Sequence, residues 1–347
     1  MVNNNSNSRL AQFELLRILA MFGVVLNHVF NYGLDIYGDF RVDASQNGGF
    51  VLWSILELLK LMALPSVNCY ILITGYFLID KTQLRLRGIW KVWSTTWVYA
   101  VGIYLLAVAV SINPFDRYDL ARHALPLISN SYWFVTSYIA LMLLCPLLAW
   151  GLQHVSKQQY QAVLVVGGIV CFQPLGGQYL MDDQQIVLFV YLFMIGGYIK
   201  RYHEKSAKPT VALLAYLGIL MMMYAYTVYK NGQLGSQHLT VFAMAYHGLV
   251  LPLSVAFFLF MKNMTIGNQR MRKAILTVAP LSFAVYIIHT HSTVHALLWT
   301  TVSKAWPLVG MWALPLFCVA VAAVVFVVGV LMEFCRVRLA RIIAAHI

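Results

Sequence analysis

The most conspicuous shortage in this sequence is of charge. Only 10% of its 347 residues are Asp, Glu, Lys or Arg, and only 12 are acidic. A soluble domain of this length has about 25% charged residues, so the chain lacks the polar groups that would cover a globular surface. This shortage excludes a soluble globular protein and is typical of an integral membrane protein.

Cysteine is also scarce, and the five cysteines form no CxxC pair. They lie in or beside apolar runs, where a free thiol behaves as a small buried hydrophobe. The spacing excludes a disulfide framework and supplies no zinc-ligand set. We therefore expect a protein without a metal site.

Apolar residues, by contrast, make up 61% of the chain, and the mean hydropathy is +0.73. A membrane span needs about 20 mainly apolar residues. Ten such segments are predicted, at 10–31, 49–79, 89–111, 131–150, 161–175, 186–199, 210–229, 240–261, 276–301 and 308–332. The sequence thus predicts an all-α transmembrane bundle of about ten helices, forming one domain over residues 1–347 with no separate soluble domain.

The second predicted span contains a proline and two charged residues. Because Pro65 cannot donate an i→i−4 hydrogen bond, we expect one broken helix there, or else two shorter elements. Glu57 and Lys60 lie in its first half.

Positive charge is distributed unevenly over the predicted loops. Five basic residues fall on one side: Arg41, Arg117, Arg122, Lys230 and Lys304. Seventeen fall on the other: Arg9, Lys81, Arg85, Arg87, Lys91, Lys157, Lys200, Arg201, Lys205, Lys208, Lys262, Arg270, Arg272, Lys273, Arg336, Arg338 and Arg341. Because positive loops stay inside, both termini are predicted to be cytoplasmic. The net charge of +12 then reflects membrane topology and not nucleic-acid binding.

The first predicted span carries a polar stripe of Glu14, Arg17 and His28. Eleven helical steps leave Arg17 and His28 only about 20° apart around the axis and about 16.5 Å apart along it. Charged groups inside a bilayer are costly and mark functional paths. A stripe that faces a cavity is one interpretation. The other is a structural Glu14–Arg17 ion pair with an interfacial histidine.

The ninth predicted span supplies a second cluster, in which Ser282, Tyr286 and His289 share a helix face. His291 points elsewhere on a regular helix. It has i, i+4 metal-ligand spacing with His295, but no further ligand completes a set.

In this arrangement the chain resembles the acyltransferase-3 family of membrane-bound acyltransferases. Five segments match the family's motifs in order. Arg17 with His28 is similar to R-x10-H, residues 73–78 (ITGYFL) are like S-G-[FY]-L, and Arg85 with Arg87 is like R-x-R. Residues 133–146, from Trp133 to Pro146, are like W-[FY]-L…P, and residues 286–289 (YIIH) are like Y-L-x-H. Thr74 stands where the family has serine. The resemblance covers nearly the whole chain.

The resemblance implies transfer of an acyl group, usually acetyl, from cytoplasmic acyl-CoA to a cell-surface or exported glycan, or to a lipid-linked sugar. The expected setting is the plasma or inner membrane of a bacterium, and no cofactor is permanently bound. His28 is the expected general base, although a covalent acyl-histidine also remains open.

The remaining predicted roles divide between donor and acceptor. Arg17, with Glu14, would hold part of the CoA arm or orient the stripe. Arg85 and Arg87 would bind CoA phosphates. Tyr286, His289 and Trp133 would line the acceptor side.

Two other classes stay open at this point. A lipid-linked-sugar glycosyltransferase would use Asp35, Asp39 and Asp43 of the first outer loop. A secondary transporter would use the buried charges Glu14, Arg17, Glu57 and Lys60.

Overall fold

A computed structural model describes residues 10–36, 49–172, 185–203, 208–234 and 248–346. Within these ranges the ordered elements are helices, and no strand occurs. The predicted all-α class is therefore confirmed for the described chain. Helices suit so apolar a sequence because each satisfies its own backbone hydrogen bonds in lipid.

Fourteen α-helices are present in the described ranges. They are α1 (Ala11–His28), α2 (Gly49–Ala63), α3 (Ser66–Leu78), α4 (Leu86–Ala109), α5 (Arg117–Ala124), α6 (Trp133–Gln153), α7 (Lys157–Phe172), α8 (Gln185–Tyr202), α9 (Pro209–Leu234), α10 (Val250–Asn263), α11 (Gln269–Val278), α12 (Ser282–Thr290), α13 (Ser292–Ala305) and α14 (Leu314–His346).

Seven helical stretches among the described residues are long and apolar enough to cross a membrane. They are Ala11–Gly33, Gly49–Leu78, Leu86–Ala109, Trp133–Gln153, Pro209–Tyr229, Gln269–Thr290 and Met311–Ala344. The other three predicted spans correspond to α7, α8 and α10, which over the described residues are shorter or less apolar. Residues 173–175 and 240–247 of these predicted spans lie outside the described residues. The count of ten and the cytoplasmic position of both termini remain predictions.

The second span is broken, as its proline predicted. α2 ends at Ala63 and α3 begins at Ser66, with a turn at Leu64 and Pro65 between them. Glu57 and Lys60 are both buried in α2, and their charges interact.

The prediction of one continuous ninth helix over 276–301 is wrong. The crossing stretch begins earlier, at Gln269, and contains a 3₁₀ turn at Ala279–Leu281 around Pro280. It ends at Thr290 because His291 is extended (φ −57°, ψ 131°) and caps α13, its Nδ1 accepting the Thr293 N–H at 3.2 Å. A residue that caps the next helix has non-helical backbone angles, so it cannot continue the previous helix.

Two further elements lie outside the predicted boundaries. The loop predicted at 112–130 contains α5, whose first turn is capped by the Asp116 carboxylate accepting the Tyr118 and Asp119 N–H groups. The last helix continues beyond residue 332 to His346.

α1 occupies a central position, in contact with α2, α3, α10, α12 and α14. Among the described helices, α3 and α8 pack extensively against each other. A Cβ at Gly75 would meet the backbone of Phe193, and one at Gly196 would meet the backbone of Leu72. Small residues at such a crossing let two membrane helices approach at backbone distance.

Candidate active site

The polar stripe of α1 begins with an ion pair. Arg17 Nη1 donates to Glu14 Oε1 at 2.6 Å, with the Glu14 side chain buried and that of Arg17 34% exposed. Tyr70 of α3 donates its hydroxyl hydrogen to the Arg17 carbonyl oxygen at 2.9 Å. The ion pair therefore lies within one helix, as the i, i+3 spacing predicted, and Tyr70 contacts the backbone of that helix.

At the other end of α1, His28 meets His289 of α12. His28 Nδ1 and His289 Nε2 are 2.9 Å apart, a hydrogen-bonding distance. The sequence assigned these two residues separate roles, one as base and one at the acceptor side. The structure joins them in one pair, 261 residues apart in the chain.

The second nitrogen of His289 fixes the direction of that hydrogen bond. His289 Nδ1 lies 2.5 Å from the Val285 carbonyl oxygen, one helical turn earlier. A carbonyl only accepts, so Nδ1 carries the hydrogen and the Nε2 of a neutral ring is bare. His28 Nδ1 must then be the donor, and the unprotonated nitrogen of a neutral His28 is Nε2.

Aromatic residues that the sequence analysis missed surround the pair. Trp299 of α13 has its ring centroid 6.5 Å from that of His28 and 6.3 Å from that of His289, and Tyr32 lies 5.2 Å from His28. Tyr32 follows His28 by four residues, in the π-helical turn Val29–Gly33 that extends α1. Trp299 reaches the site through tertiary packing, because α13 packs against that turn. The periodicity of a single span does not predict the second contact.

His291 and His295 do not form a shared site. His291 donates from Nε2 to the Ala100 carbonyl oxygen at 3.1 Å, while His295 packs 4.6 Å from the ring of Tyr32. Among the described residues, no three His, Cys, Asp or Glu side chains are grouped as metal ligands.

The predicted donor-side arginines have unequal surroundings. Arg85 precedes α4, is exposed, and lines a crevice of about 10 Å³ together with Lys81 and Cys145. Arg87 is exposed in the first turn of α4. The crevice is about the size of one water, so phosphate binding would use the exposed arginines and not a preformed pocket.

Two of the three predicted donor-side arginines influence the same residue of α6. The charges of Arg17 and Arg85 both act on the Tyr138 phenol, whose oxygen lies 3.3 Å from Thr74 Oγ1.

The predicted acceptor-side residues also differ in placement. Tyr286 is buried, with its ring 6.1 Å from that of His289 and 6.4 Å from that of Tyr132. Trp133 is 37% exposed and packs 6.2 Å from Phe189. Its role stays a prediction.

The chain belongs to the acyltransferase-3 family. The family's model, described as an acyltransferase domain, matches residues 10–333 and so spans both ends of the α1 stripe and the α12 histidine. Searches of curated proteins and of solved structures each found no match. The chain is therefore a multi-pass membrane protein of a family of acyl-transferring enzymes.

Proposed function

We propose that this protein is an O-acyltransferase, which moves an acetyl group from cytoplasmic acyl-CoA to a hydroxyl of a cell-surface or exported polysaccharide. The observation that carries the proposal is the chain of hydrogen bonds from Val285 through His289 to His28. It leaves one imidazole nitrogen, His28 Nε2, as a directed proton acceptor.

In the proposed reaction the acceptor oxygen attacks the thioester carbonyl, while His28 Nε2 takes the hydroxyl proton. The tetrahedral intermediate then collapses, the C–S bond breaks, and the CoA thiolate leaves with that proton returned from His28. The products are an ester and free CoA, so no oxidant or further reactant is required.

His289 is a positioning residue in this scheme. Its ring holds His28 in the Nδ1–H tautomer, and it shares the positive charge when His28 is protonated. The arrangement is similar to that of hydrolase triads, in which a hydrogen-bonded neighbour orients the general base. Here the group that orients the base is His289, and the Val285 carbonyl orients His289 in turn.

The donor is assigned to the Arg17 end. Arg17, Arg85 and Arg87 would contact the phosphates of CoA, because guanidinium groups pair with phosphate oxygens through several N–H donors. Glu14 orients Arg17 through its 2.6 Å hydrogen bond. Tyr286, His289 and Trp133 are assigned to the acceptor side.

The proposed partners follow from this assignment. They are the lipid bilayer, acyl-CoA, and a surface glycan or lipid-linked sugar. Nucleic acid is not a proposed partner. The proposed location is a bacterial plasma or inner membrane.

The two alternative classes each depended on a set of charged residues. The glycosyltransferase hypothesis depended on three aspartates, of which Asp39 and Asp43 lie outside the described residues. The transporter hypothesis depended on four buried charges, which interact in two pairs: Glu14 with Arg17, and Glu57 with Lys60. Charges inside a membrane commonly pair in this way.

The direct test is incubation of the purified protein with [¹⁴C]acetyl-CoA, with and without polysaccharide isolated from the source cells. Label is expected in the polysaccharide, in an alkali-labile ester. Label that remains entirely in acetyl-CoA, in preparations that bind acetyl-CoA, would contradict the proposal.

A further inference from the structure

Tyr32 is the exposed residue of the turn that follows the proposed base. The π-helical turn Val29–Gly33 extends α1 directly beyond His28, and its other four residues are buried, whereas Tyr32 is 45% exposed. Turns of this kind are rare and occur frequently at functional sites. The chain thus presents one open aromatic ring immediately beyond His28.

The Tyr32 ring lies against the ring of His28. Their centroids are 5.2 Å apart and their planes are inclined by 68°, which is an edge-to-face contact. In the proposed reaction His28 takes the proton of the acceptor hydroxyl. A molecule that covers the open part of Tyr32 would therefore lie beside the base.

Packing inside the protein holds this ring in place. Trp299 of α13 is only 4% exposed, and its ring centroid lies 6.3 Å from that of Tyr32. α13 approaches the turn closely, because a Cβ at Gly33 would lie 2.8 Å from a side-chain carbon of Val302. A ring that is already fixed loses little conformational entropy when a ligand binds to it.

Exposure alone does not indicate a ligand site, because tyrosines are enriched at both membrane interfaces. Tyr118 is an example of an exposed tyrosine without such surroundings. It is 68% exposed, and its ring lies 5.1 Å from the guanidinium carbon of its neighbour Arg117. Tyr32 differs because its ring contacts both the proposed base and a buried residue of α13.

An open aromatic ring suits one face of a sugar. The face of an aromatic ring carries partial negative charge, and the C–H bonds on one face of a pyranose carry partial positive charge. Stacking covers that C–H face and leaves the sugar hydroxyls free around its rim, where one of them can point at His28. Acyl-CoA is a less suitable occupant, because its phosphates need cations and Arg17 lies about 16.5 Å from His28 along the helix.

We propose that Tyr32 is an acceptor-binding residue, whose open ring stacks on the pyranose that receives the acyl group. The inference rests on the proposed function, which makes the acceptor a sugar and His28 the base. It goes further because it names the residue and the type of contact that hold the sugar beside that base.

Acceptor binding can be measured without acyl transfer. The probe is a fluorescently labelled oligosaccharide, released from the polysaccharide of the source cells after alkaline removal of its esters. Binding is followed by fluorescence anisotropy in the absence of acetyl-CoA. The protein is held in lipid nanodiscs, because the headgroup of a glycoside detergent would compete with the probe.

Tyr32→Ala should raise the Kd for the oligosaccharide about three- to tenfold, as expected for the loss of one aromatic contact. Tyr32→Leu, which keeps apolar bulk without an aromatic ring, should show the same loss and replaces the alanine variant if that variant unfolds. Tyr32→Phe should bind as the wild type does, because stacking uses the ring and not the hydroxyl. Tyr118→Ala is the matched control on another exposed tyrosine.

The assignment would be overturned by a wild-type protein that does not bind the oligosaccharide. It would also be overturned if Tyr32→Leu bound as tightly as Tyr118→Ala, or if Tyr32→Phe lost as much affinity as Tyr32→Leu.

Transfer of label from [¹⁴C]acetyl-CoA, measured on the same preparations, separates this inference from the proposed function. Transfer by the wild type, together with unchanged binding by Tyr32→Leu, would leave the function standing and remove Tyr32 from the acceptor site. Weaker binding by Tyr32→Leu, in a wild-type background that transfers no label, would support the sugar contact and contradict the transferase.

Discussion

His28 Nδ1 and His289 Nε2 lie 2.9 Å apart and join the first helix to the second half of a crossing stretch near the other end of the chain. Each ring has a fixed hydrogen position only because the Val285 carbonyl occupies the far nitrogen of His289. The pair therefore behaves as a unit, and substitutions on its two sides should have different effects.

His28→Ala should lose acyl transfer by about 10²–10⁴, the range for removal of a general base. Membrane insertion and acyl-CoA binding should be retained, because the change removes a polar group from an apolar helix at a distance of about 16.5 Å from Arg17. Single-turnover transfer and acyl-CoA binding are the measurements. His295→Ala is the control, since that ring lies nearby without a hydrogen bond to the pair. If His28→Ala retained more than about a tenth of the wild-type transfer rate, His28 would not be the general base.

His289→Ala should lower kcat about 10- to 100-fold, as loss of an orienting neighbour does, with the KM for acetyl-CoA unchanged. His289→Gln should recover part of the loss, because the amide oxygen accepts the His28 Nδ1 hydrogen. The pH profile of kcat should shift in the alanine variant and shift less in the glutamine one. Identical profiles in all three proteins would show that His289 only fills space.

Arg85→Ala should raise the KM for acetyl-CoA more than Arg87→Ala does, because the charge of Arg85, like that of Arg17, acts on the Tyr138 phenol. A lost hydrogen bond to a charged group corresponds to roughly tenfold or more. Arg270→Ala removes an exposed charge elsewhere and serves as the control. The double variant Arg85→Ala/Arg87→Ala should still insert correctly; if it inserts in reverse, the arginines set topology and do not bind the donor.

Reporter fusions test the topology. Fusions after Lys205 and Lys273 should report cytoplasmic, and fusions at Asp116 and Gly232 extracytoplasmic, because the basic residues are so unequally divided. Alkaline phosphatase and green fluorescent protein at each position give opposite signals. One inverted loop would require a new assignment of α7 and α8.

Gly196→Val should destabilise the protein by more than the roughly 1–3 kcal/mol typical of overpacking, because its Cβ would meet the backbone of α3. Thermal unfolding in detergent is the measurement, with Gly102→Val as control, since a Cβ at Gly102 meets no atom within 4 Å. Equal melting temperatures for the two variants would mean that the close contact of α3 and α8 at Gly196 does not contribute to the stability of the protein.

The sequence predicted those parts of the site that depend on one helix. The 3.6-residue period placed Glu14, Arg17 and His28 on one stripe, and the 2.6 Å ion pair agrees with the i, i+3 spacing. It could not predict the contact of His28 with His289, which depends on how α1 and α12 pack. Trp299 was missed for the same reason.

The incorrect ninth span has a local cause. Its hydrophobicity continues through residue 301, but backbone hydrogen bonding does not, because Pro280 lacks an N–H and His291 caps the following helix. Hydropathy measures transfer of side chains into lipid and is insensitive to such breaks.

The close contact of α3 with α8 also bears on how the protein is made. α8 is not among the stretches apolar enough to cross a membrane by composition, and it carries Lys200 and Arg201 in its last turn. Its partner α3 belongs to a strongly apolar stretch that leaves the ribosome more than a hundred residues earlier. We therefore expect α8 to enter the bilayer against a helix already in place, so that Gly75 and Gly196 form a docking point during biogenesis as well as a contact in the folded protein.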